Sequence, residues 1–124
     1  MHQENNINLS IVIPVFNEAN FLPKLFIELT NHFNNHETEI IIVNDGSTDN
    51  SEYEIRNFKE KLNYNFKLRI IKIDINSGKG KALQTGIKNS KGEYILLQDA
   101  DLELDTKDSL EMYEMIKKNK EIKC

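Results

Sequence analysis

Cysteine and arginine are scarce in this sequence of 124 residues. Its one cysteine, Cys124, is the last residue, so disulfide frameworks and cysteine-based metal sites are excluded and a reducing compartment fits. Among the 16 basic residues only Arg56 and Arg69 are arginines, which rules out phosphate recognition by several bidentate arginines within this chain. The composition therefore excludes disulfide-stapled scaffolds and arginine-rich phosphate sites.

Long apolar runs are also absent. No stretch approaches the roughly 20 apolar residues that a membrane-spanning helix needs, and the polar segment 1–8 does not have the pattern of a signal peptide. A net charge of −4 argues against nucleic acid as the main partner. No linker, repeat or low-complexity tract divides the chain, so we expect residues 1–124 to form a single modest domain.

Four short aliphatic segments alternate with four helical patterns along the chain. Strands are predicted at Leu9–Val15, Glu39–Asn44, Lys67–Asp74 and Tyr94–Leu97. Each is followed by apolar residues at helical spacing, such as Leu22, Leu25 and Leu29 after the first strand. Near-continuous apolar strands are typical of a parallel sheet buried on both faces. The pattern predicts an α/β fold: a doubly wound, mostly parallel, Rossmann-like sheet of about four βα units.

Proline and capping residues predict where these elements begin and end. Pro14 is expected to end the first strand ladder, because proline has no N–H to donate. Polar residues that can accept hydrogen bonds from a first helical turn precede three of the helices. The predicted caps are Asn17 or Asn20 for the first helix, Thr48 or Asp49 for the second, and Thr106 or Asp108 for the fourth.

Polar loops follow the four predicted strands and would share the edge of the sheet at which open α/β sheets bind ligands. Asp45 follows the second strand, where it can accept hydrogen bonds from a base or a ribose. A loop with Gly78 and Gly80 exposes backbone N–H groups at a helix N-terminus, and Lys79 and Lys81 add positive charge. That combination suits an anion such as a diphosphate, although it is neither a Walker A loop nor a G-x-G-x-x-G fingerprint.

Acidic residues cluster after the fourth strand. Asp99, Asp101 and Glu103 are two residues apart, so in an extended segment their side chains point to the same side. Carboxylates with no histidine or cysteine nearby suit Mg²⁺ or Mn²⁺, which would bridge to the same phosphates. The alternative is an acidic, solvated loop before a helix capped by Asp105 or Thr106. On the acidic residues alone, the two interpretations are equally well supported.

Each of the other signals also has a purely structural interpretation. Asp45 with Gly46 is more often only a turn, and a lysine such as Lys79 is usually solvated surface. Glu18 taken alone is a first-turn helix acid, favoured by the helix dipole. The prediction of a ligand site therefore depends on the combination of loops and not on any one of them.

The combination of three segments resembles the N-terminal half of the family 2 glycosyltransferases of GT-A fold. The segments are Ser10–Glu18, Glu39–Ser51, and Asn76–Gly86 followed by Gly92–Asp105. They occur in the family's order and cover most of residues 9–105. Within the family, the run from Asp99 to Glu103 looks most like the polyprenyl-phosphate (dolichol-phosphate) mannose or glucose synthases, whose members often have proline where this chain has Thr106.

The resemblance implies a role for each matching position. A nucleotide-diphosphate sugar would contact Pro14, Phe16, Glu18, Asp45, Lys79, Asp99, Ala100 and Asp101. Pro14, Phe16 and Glu18 would line the nucleotide pocket, Asp45 would hold the base or its ribose, and Lys79 would lie near the diphosphate.

A metal site is implied as well. Asp99 and Asp101 would form the DxD motif of the family, Asp101 would bind the metal most directly, and Glu103 would be a further metal ligand. Mg²⁺ or Mn²⁺ would stabilise the departing diphosphate. The implied reaction transfers a hexose, with inversion, from a GDP- or UDP-linked donor to a polyprenyl phosphate or a glycan. The location expected for such an enzyme is the cytoplasm, including its membrane surface.

The chain is shorter than the family's catalytic domain. We therefore expect it to be incomplete at its C-terminus, with the catalytic base and the acceptor pocket outside it. None of Asp105, Asp108 and Glu111 is assigned as the base. An open sheet edge would favour self-association. One alternative is a nucleotide-sugar-binding module without turnover. A receiver-like signalling domain is less favoured, because the acids of receiver domains come mainly from the end of the first strand, and here no acid follows that strand before Glu18.

Overall fold

The computed structural model of the protein describes residues 6–61, 63–101 and 105–122. Its elements are β1 (Leu9–Val15), α1 (Leu22–His32), β2 (Thr38–Asp45), α2 (Ser51–Lys61), β3 (Lys67–Ile73), α3 (Lys79–Lys88), β4 (Tyr94–Leu97) and α4 (Thr106–Ile122). In this part of the chain the strands form one parallel sheet in the order β3-β2-β1-β4. The predicted α/β fold of four βα units is confirmed. No helix among these residues is both long and apolar enough to cross a membrane.

Helices cover both faces of the sheet. The larger core packs Ile11 and Ile13 of β1 against side chains of α1 and α2 that include Leu25 and Phe58. The smaller core lies on the other face, where β2 packs against α3. Because neighbouring strand residues point to opposite faces, a strand covered on both sides has no polar face. All residues of 11–13 and 40–43 are accordingly 0% exposed, and burial of this apolar surface is the main contribution to stability.

Gly86 brings α3 close to the sheet. A Cβ at this position would lie 2.3 Å from Cγ1 of Val12 and 3.3 Å from Cγ2 of Val43. Any side chain here would push α3 away from β1 and β2. The glycine therefore fixes the distance between α3 and the two central strands.

The strand order places a topological switch point between β1 and β4. From β1 the chain adds β2 and then β3 on one side, and it returns to add β4 on the other side of β1. The loops after β1 and β4 both lie at the carboxyl ends of these neighbouring strands, where a switch point forms a crevice. Ligands of open α/β sheets bind in this crevice.

Pro14 was predicted to end the first strand, and this prediction is wrong. β1 continues to Val15 and stays in register with β2, with Pro14 opposite Val43. Pairing with β4 stops earlier, at Val12 opposite Leu97. The carbonyl of Val12 accepts a hydrogen bond from the N–H of Gln98 on the β4 side, and Pro14, two residues on, faces the same side. The missing N–H of Pro14 therefore falls where β4 has already ended, and no ladder bond is lost.

The first helix begins without a side-chain cap, so the predicted asparagine caps are wrong. Phe21 occupies the N-cap position and makes no side-chain capping bond. Asn17 lies too far from the helix start to cap it, and its Oδ1 accepts hydrogen bonds from the backbone N–H groups of Thr48 at 2.7 Å and Asp49 at 3.2 Å. At the start of α2, Asp49 accepts a hydrogen bond from the N–H of Ser51 at 2.8 Å, as predicted.

The fourth helix is capped by Asp105 and not by Thr106 or Asp108. Oδ1 of Asp105 accepts a hydrogen bond from the N–H of Lys107 at 2.9 Å. Thr106 is buried against α1, where its hydroxyl donates to Oε1 of Glu28 at 3.2 Å and lies 2.8 Å from Nδ1 of His32. Its hydroxyl therefore joins two helices and is not available to cap α4.

Candidate active site

A cavity of about 310 Å³ opens at the switch point, which is the lower end of the size range of small-molecule sites. The carboxyl ends of β1, β2 and β4 and the amino end of α3 contribute to its walls. The structure places eight of the predicted site residues in this lining: Pro14, Phe16, Glu18, Asp45, Lys79, Asp99, Ala100 and Asp101. Val15, Asn76, Gly78 and Ala82 also line the cavity. Lys81 is exposed and is not part of the lining.

Asp99 faces a cation from the opposite wall of the cavity. The ammonium of Lys79, on the first turn of α3, lies 2.7 Å from Oδ1 of Asp99. The Lys79 side chain is 63% exposed and that of Asp99 is 28% exposed, so water weakens the pairing and contributes to its reversibility. Acid and lysine are thus brought together across the crevice.

Gln98 anchors the acidic segment to the body of the domain, and sequence reasoning missed it. It is 1% exposed, its Oε1 accepts a hydrogen bond from the hydroxyl of Ser109 in α4 at 3.1 Å, and its Nε2 lies 3.3 Å from the carbonyl of Asp99. A polar residue between an apolar strand and an aspartate was the available signal. Because buried amides need hydrogen-bond partners, Gln98 and Ser109 fix the direction in which the chain leaves β4.

The residues present fit a divalent cation that is shared with a phosphate ligand. Among residues 6–61, 63–101 and 105–122, no three acidic, histidine or cysteine side chains come together as a metal-binding group. Mg²⁺, however, is usually bound by one or two carboxylates, with substrate phosphates and water completing its shell. Asp99 and Asp101 supply two carboxylates, and the Lys79 ammonium shows that a cation fits beside Asp99. Glu103, the predicted further ligand, lies outside the described residues.

The pKa of Glu18 reflects the negative charge around the cavity. Burial raises the pKa of its carboxyl above the ordinary value of 4.5, and the charges of Asp101, Asp49 and Asp99 raise it further, in that order, while Lys79 opposes them. Like charges that share a site disfavour ionisation. The acids around the cavity therefore repel one another, and a bound cation would relieve that repulsion.

A network of hydrogen bonds holds the loop after β1 against the loop after β2. Asn17, which has a φ of +54°, donates its N–H to Oγ of Ser47 at 3.0 Å. The N–H of Glu18 donates to Oγ of Ser51 at 2.8 Å, and the N–H of Ala19 donates to Oδ2 of Asp49 at 3.2 Å. These bonds hold the backbone on either side of Phe16 and Glu18 in place. Asparagine tolerates positive φ better than most residues, so the asparagine after β1 was the signal in the sequence for this loop conformation.

Asp45 lies at the end of β2 and is 2% exposed. Its carboxylate accepts hydrogen bonds from Asn76, Ser77 and Gly78. The sequence predicted an acceptor at this position, and the structure shows that donors from within the chain reach it.

Comparison with known proteins identifies the family. The family model described as "Glycosyl transferase family 2" matches residues 10–124. The chain belongs to glycosyltransferase family 2. The predicted resemblance is thereby confirmed.

Relatives and solved structures agree with this assignment. The chain is 35% identical over 103 residues to dolichyl-phosphate beta-glucosyltransferase ALG5A of Trichomonas vaginalis, covering 77% of this chain and 31% of that protein. It is 43% identical over 83 residues to poly-beta-1,6-N-acetyl-D-glucosamine synthase of Staphylococcus epidermidis, covering 67% of this chain and 19% of the synthase. Residues 1–349 of S. aureus TarS in complex with UDP-GlcNAc superpose with a TM-score of 0.68 and 29% identity, over 77% of this chain and 27% of that one.

These matches confirm the predicted GT-A fold. The chain spans about a third or less of the length of the relatives that it matches.

Proposed function

We propose that this chain forms the donor-binding part of a glycosyltransferase that transfers a hexose from a nucleotide-diphosphate sugar. The observation that carries the proposal is the juxtaposition, around one cavity of a family 2 domain, of Asp99, Asp101, Lys79 and the amino end of α3. A diphosphate needs positive charge and N–H donors, and a departing diphosphate needs its growing negative charge neutralised.

The cavity divides into a nucleoside side and a phosphate side. Phe16 is 44% exposed at the cavity wall, and its ring offers an apolar face on which a base can stack. Pro14 adds a rigid apolar surface beside it. Opposite them, Lys79 and the first N–H groups of α3 would hold the diphosphate. Base and sugar identity stay open between UDP- and GDP-linked hexoses.

Asp99 and Asp101 would hold Mg²⁺ or Mn²⁺, which when bound supplies positive charge to the departing diphosphate. Lys79 would then exchange its contact with Asp99 for one with the diphosphate. The charges of Asp99 and Lys79 both affect the pKa of Glu18, so that pKa would change with the exchange. We propose transfer with inversion, in which a base outside the described residues takes the proton of the acceptor hydroxyl or phosphate.

Two acceptor classes follow from the relatives. One relative is a dolichyl-phosphate glucosyltransferase and another is a poly-N-acetylglucosamine synthase, so we propose a polyprenyl phosphate or a growing glycan as acceptor. A lipid-linked acceptor would place the reaction at the cytoplasmic surface of a membrane. Ile95 and Leu97 of β4 are each 43% exposed, and β4 is the outermost strand of the sheet that the described residues form, so self-association through this edge is part of the proposal.

A second candidate function is the binding of a nucleotide sugar without turnover. It is favoured by the fact that the described lining offers groups that bind a nucleotide sugar, while no acid of α4 is among the described residues that line the cavity. A transfer assay with radiolabelled UDP-glucose or GDP-mannose and a short polyprenyl phosphate separates the two candidates.

Calorimetric titration tests the donor site directly. UDP and GDP would each be titrated with and without Mn²⁺ into the wild type and into Asp101→Ala. We expect one nucleotide to bind in a Mn²⁺-dependent way and to lose at least about tenfold in affinity in the variant, which corresponds to about 1.4 kcal/mol. Asp108→Ala, which removes an exposed acid of α4 outside the cavity, is the matched control. A folded sample that binds neither nucleotide would contradict the proposal.

A further inference from the structure

The ammonium of Lys79 occupies an acceptor that a divalent cation would need. It lies 2.7 Å from Oδ1 of Asp99, which is the distance of a charge-assisted hydrogen bond. A Mg²⁺ ion bound by Asp99 would lie about 2.1 Å from a carboxylate oxygen. Even on the second oxygen it would remain next to the ammonium, and like charges so close together repel each other. Lys79 and a metal therefore compete for Asp99.

The backbone that carries Lys79 is held in place, while its side chain can turn. Lys79 is the first residue of α3. Just before it, the N–H of Gly78 donates to Oδ2 of Asp45 at 2.9 Å, and the carbonyl of Gly78 accepts the N–H of Ala82 at 3.0 Å. The Lys79 side chain is 63% exposed and has a flexible four-carbon stem. Its ammonium can therefore move from Asp99 to an anion at the amino end of α3 without a change in the fold.

The charges around the cavity make the two ligands depend on each other. Among the described residues that line it, four are acids and one is a lysine: Glu18, Asp45, Asp99, Asp101 and Lys79. A diphosphate that entered alone would face this excess of negative charge, and a metal that entered alone would face the ammonium at Asp99. The charge of Lys79 also lowers the pKa of Glu18, so its effect extends across the cavity. Diphosphate and metal together relieve both conflicts.

We propose that Lys79 is a built-in counter-ion of Asp99 that makes metal binding conditional on the diphosphate. With no diphosphate bound, the ammonium holds Asp99 and opposes the binding of Mg²⁺ or Mn²⁺. When a nucleotide diphosphate binds, the ammonium pairs with its phosphate oxygens and leaves Asp99 and Asp101 to the metal. The inference rests on the proposed function for the identity of the ligand, and it adds to that function a device that disfavours occupation of the site by metal alone.

Thermodynamic linkage makes this device measurable. If the diphosphate raises the affinity for metal by some factor, the metal raises the affinity for the diphosphate by the same factor. Part of the factor comes from direct bonds between metal and phosphate, which need no lysine. The part that comes from Lys79 disappears when the lysine is replaced.

Replacement of Lys79 gives different results for the two roles that the lysine could have. If the lysine only binds phosphate, its replacement weakens nucleotide binding and leaves the affinity for Mn²⁺ alone unchanged. If it also competes with the metal, its replacement lets Mn²⁺ alone bind more tightly. The expected change is a gain in affinity, which damage to the fold would not produce.

Lys79→Met is the test variant, because methionine keeps most of the apolar stem and removes the charge. Lys79→Arg keeps the charge. Lys81→Met removes an exposed lysine of the same helix that lies outside the described lining, so it controls for the change in net charge. Electron paramagnetic resonance of unbound Mn²⁺ measures the affinity, with and without UDP or GDP, at about 0.05 M salt, where charge effects are weakly screened.

We expect Lys79→Met to bind Mn²⁺ alone at least about threefold more tightly than the wild type, which is the scale of a partly exposed ion pair. Lys79→Arg and Lys81→Met should stay within about twofold of the wild type. The factor by which UDP or GDP raises the affinity for Mn²⁺ should fall by at least about threefold, and only in Lys79→Met.

An affinity of Lys79→Met for Mn²⁺ alone that equals or falls below that of the wild type would overturn the inference. An equal gain in Lys81→Met would also overturn it, because a general effect of net charge would then explain both. Failure of the proposed function looks different, since no form would bind UDP or GDP with Mn²⁺. The affinities for Mn²⁺ alone would still show whether Lys79 competes for Asp99, and a lack of Mn²⁺ binding by every form would overturn both.

Discussion

The two ends of β2 each carry a buried carboxylate, and the surroundings of the two differ. Asp45, at the carboxyl end, receives four hydrogen bonds from neutral donors of one loop. Glu39, at the amino end, is 0% exposed, and its Oε2 accepts from Oγ of Ser10 and from the N–H of Lys91, each at 2.6 Å. Its Oε1 has no hydrogen-bond partner among the described residues and lies 3.9 Å from Nη1 of Arg69.

We expect the amino end of β2 to contribute mainly to stability and the carboxyl end mainly to ligand binding. At the amino end the charge of Glu39 is matched by Arg69, and its bonds join β1, β2 and the turn before β4. At the carboxyl end, burial raises the pKa of Glu18, and the charges of Asp101, Asp49 and Asp99 raise it further while Lys79 opposes them. The amino end therefore joins three parts of the fold through one buried acid, whereas the carboxyl end brings several acids close together around the cavity. Substitutions at the two ends should separate in the same way.

Glu39→Ala should have the largest effect on stability. We expect it to lower the free energy of unfolding by about 3 kcal/mol, because the buried hydroxyl of Ser10 and the N–H of Lys91 lose a charged acceptor and Arg69 loses its counter-charge. Urea-induced unfolding measures the loss. Glu37→Ala removes an exposed acid two residues away, which accepts one hydrogen bond from Asn8, and should change stability by less than about 0.5 kcal/mol.

Glu39→Ala should leave the affinity for nucleotide within about twofold of that of the wild type at temperatures below its unfolding transition. A loss of stability under about 1 kcal/mol, or a large change in nucleotide affinity in the folded variant, would contradict the separation of the two ends.

Ser10→Ala should have an intermediate effect at the same end. The Ser10 hydroxyl donates to Glu39 and accepts the N–H of Gly92 at 2.7 Å. Its removal leaves that N–H without an acceptor next to a backbone too close to admit water, since a Cβ on Gly92 would lie 2.6 Å from the nitrogen of Ser10. We expect a loss of about 1.5 kcal/mol. In a double-mutant cycle with Glu39→Ala, the double variant should lose less stability than the sum of the two single losses. Strict additivity would count against a shared network.

Most of the fold was predictable because it follows from local pattern. The continuous aliphatic segments of β1 and β2 indicate strands buried on both faces, and the strand–helix alternation leaves few topologies. The predicted strand ends differ from the observed ones by one residue at most, as at Asp45, which is the last residue of β2. Asn17 as the cap of α1 and Thr106 as the cap of α4 were wrong because the polar groups of these residues bond across the fold, to partners 31 and 78 residues away in sequence. Asp105, which the alternative interpretation offered, does cap α4.

The site was predictable in its membership but not in its bonding. Residue types at strand ends point to one rim of the sheet, and the eight predicted residues in the described chain line one cavity there. The sequence does not specify which carboxylates are already satisfied. Asp45 and Asp99 have the same side chain, yet Asp45 accepts hydrogen bonds from the loop at residues 76–78 while Asp99 faces the Lys79 ammonium in a partly exposed position. That distinction arises from tertiary contacts alone.

Glu18→Gln should have the smallest effect, and it tests the charged end of the comparison. Because the pKa of Glu18 is raised above 4.5 in the folded state, the unfolded chain loses this proton first as pH rises. Stability therefore falls as pH rises from 4.5 through the raised pKa, and the ionised carboxylate costs stability above it. The variant should be more stable at pH 7 by about 0.5 kcal/mol or less, the scale of interactions between partly exposed charges.

The pH dependence distinguishes this explanation from a general effect of the substitution. Below pH 4 the carboxyl is protonated in both states, so the stability difference between Glu18→Gln and the wild type should disappear. Urea unfolding at pH 4 and pH 7 measures it, and Glu60→Gln, which removes an exposed acid of α2, should show no such change. A gain that persists at pH 4 would mean that side-chain packing, and not the repulsion from Asp101, Asp49 and Asp99, limits stability at Glu18.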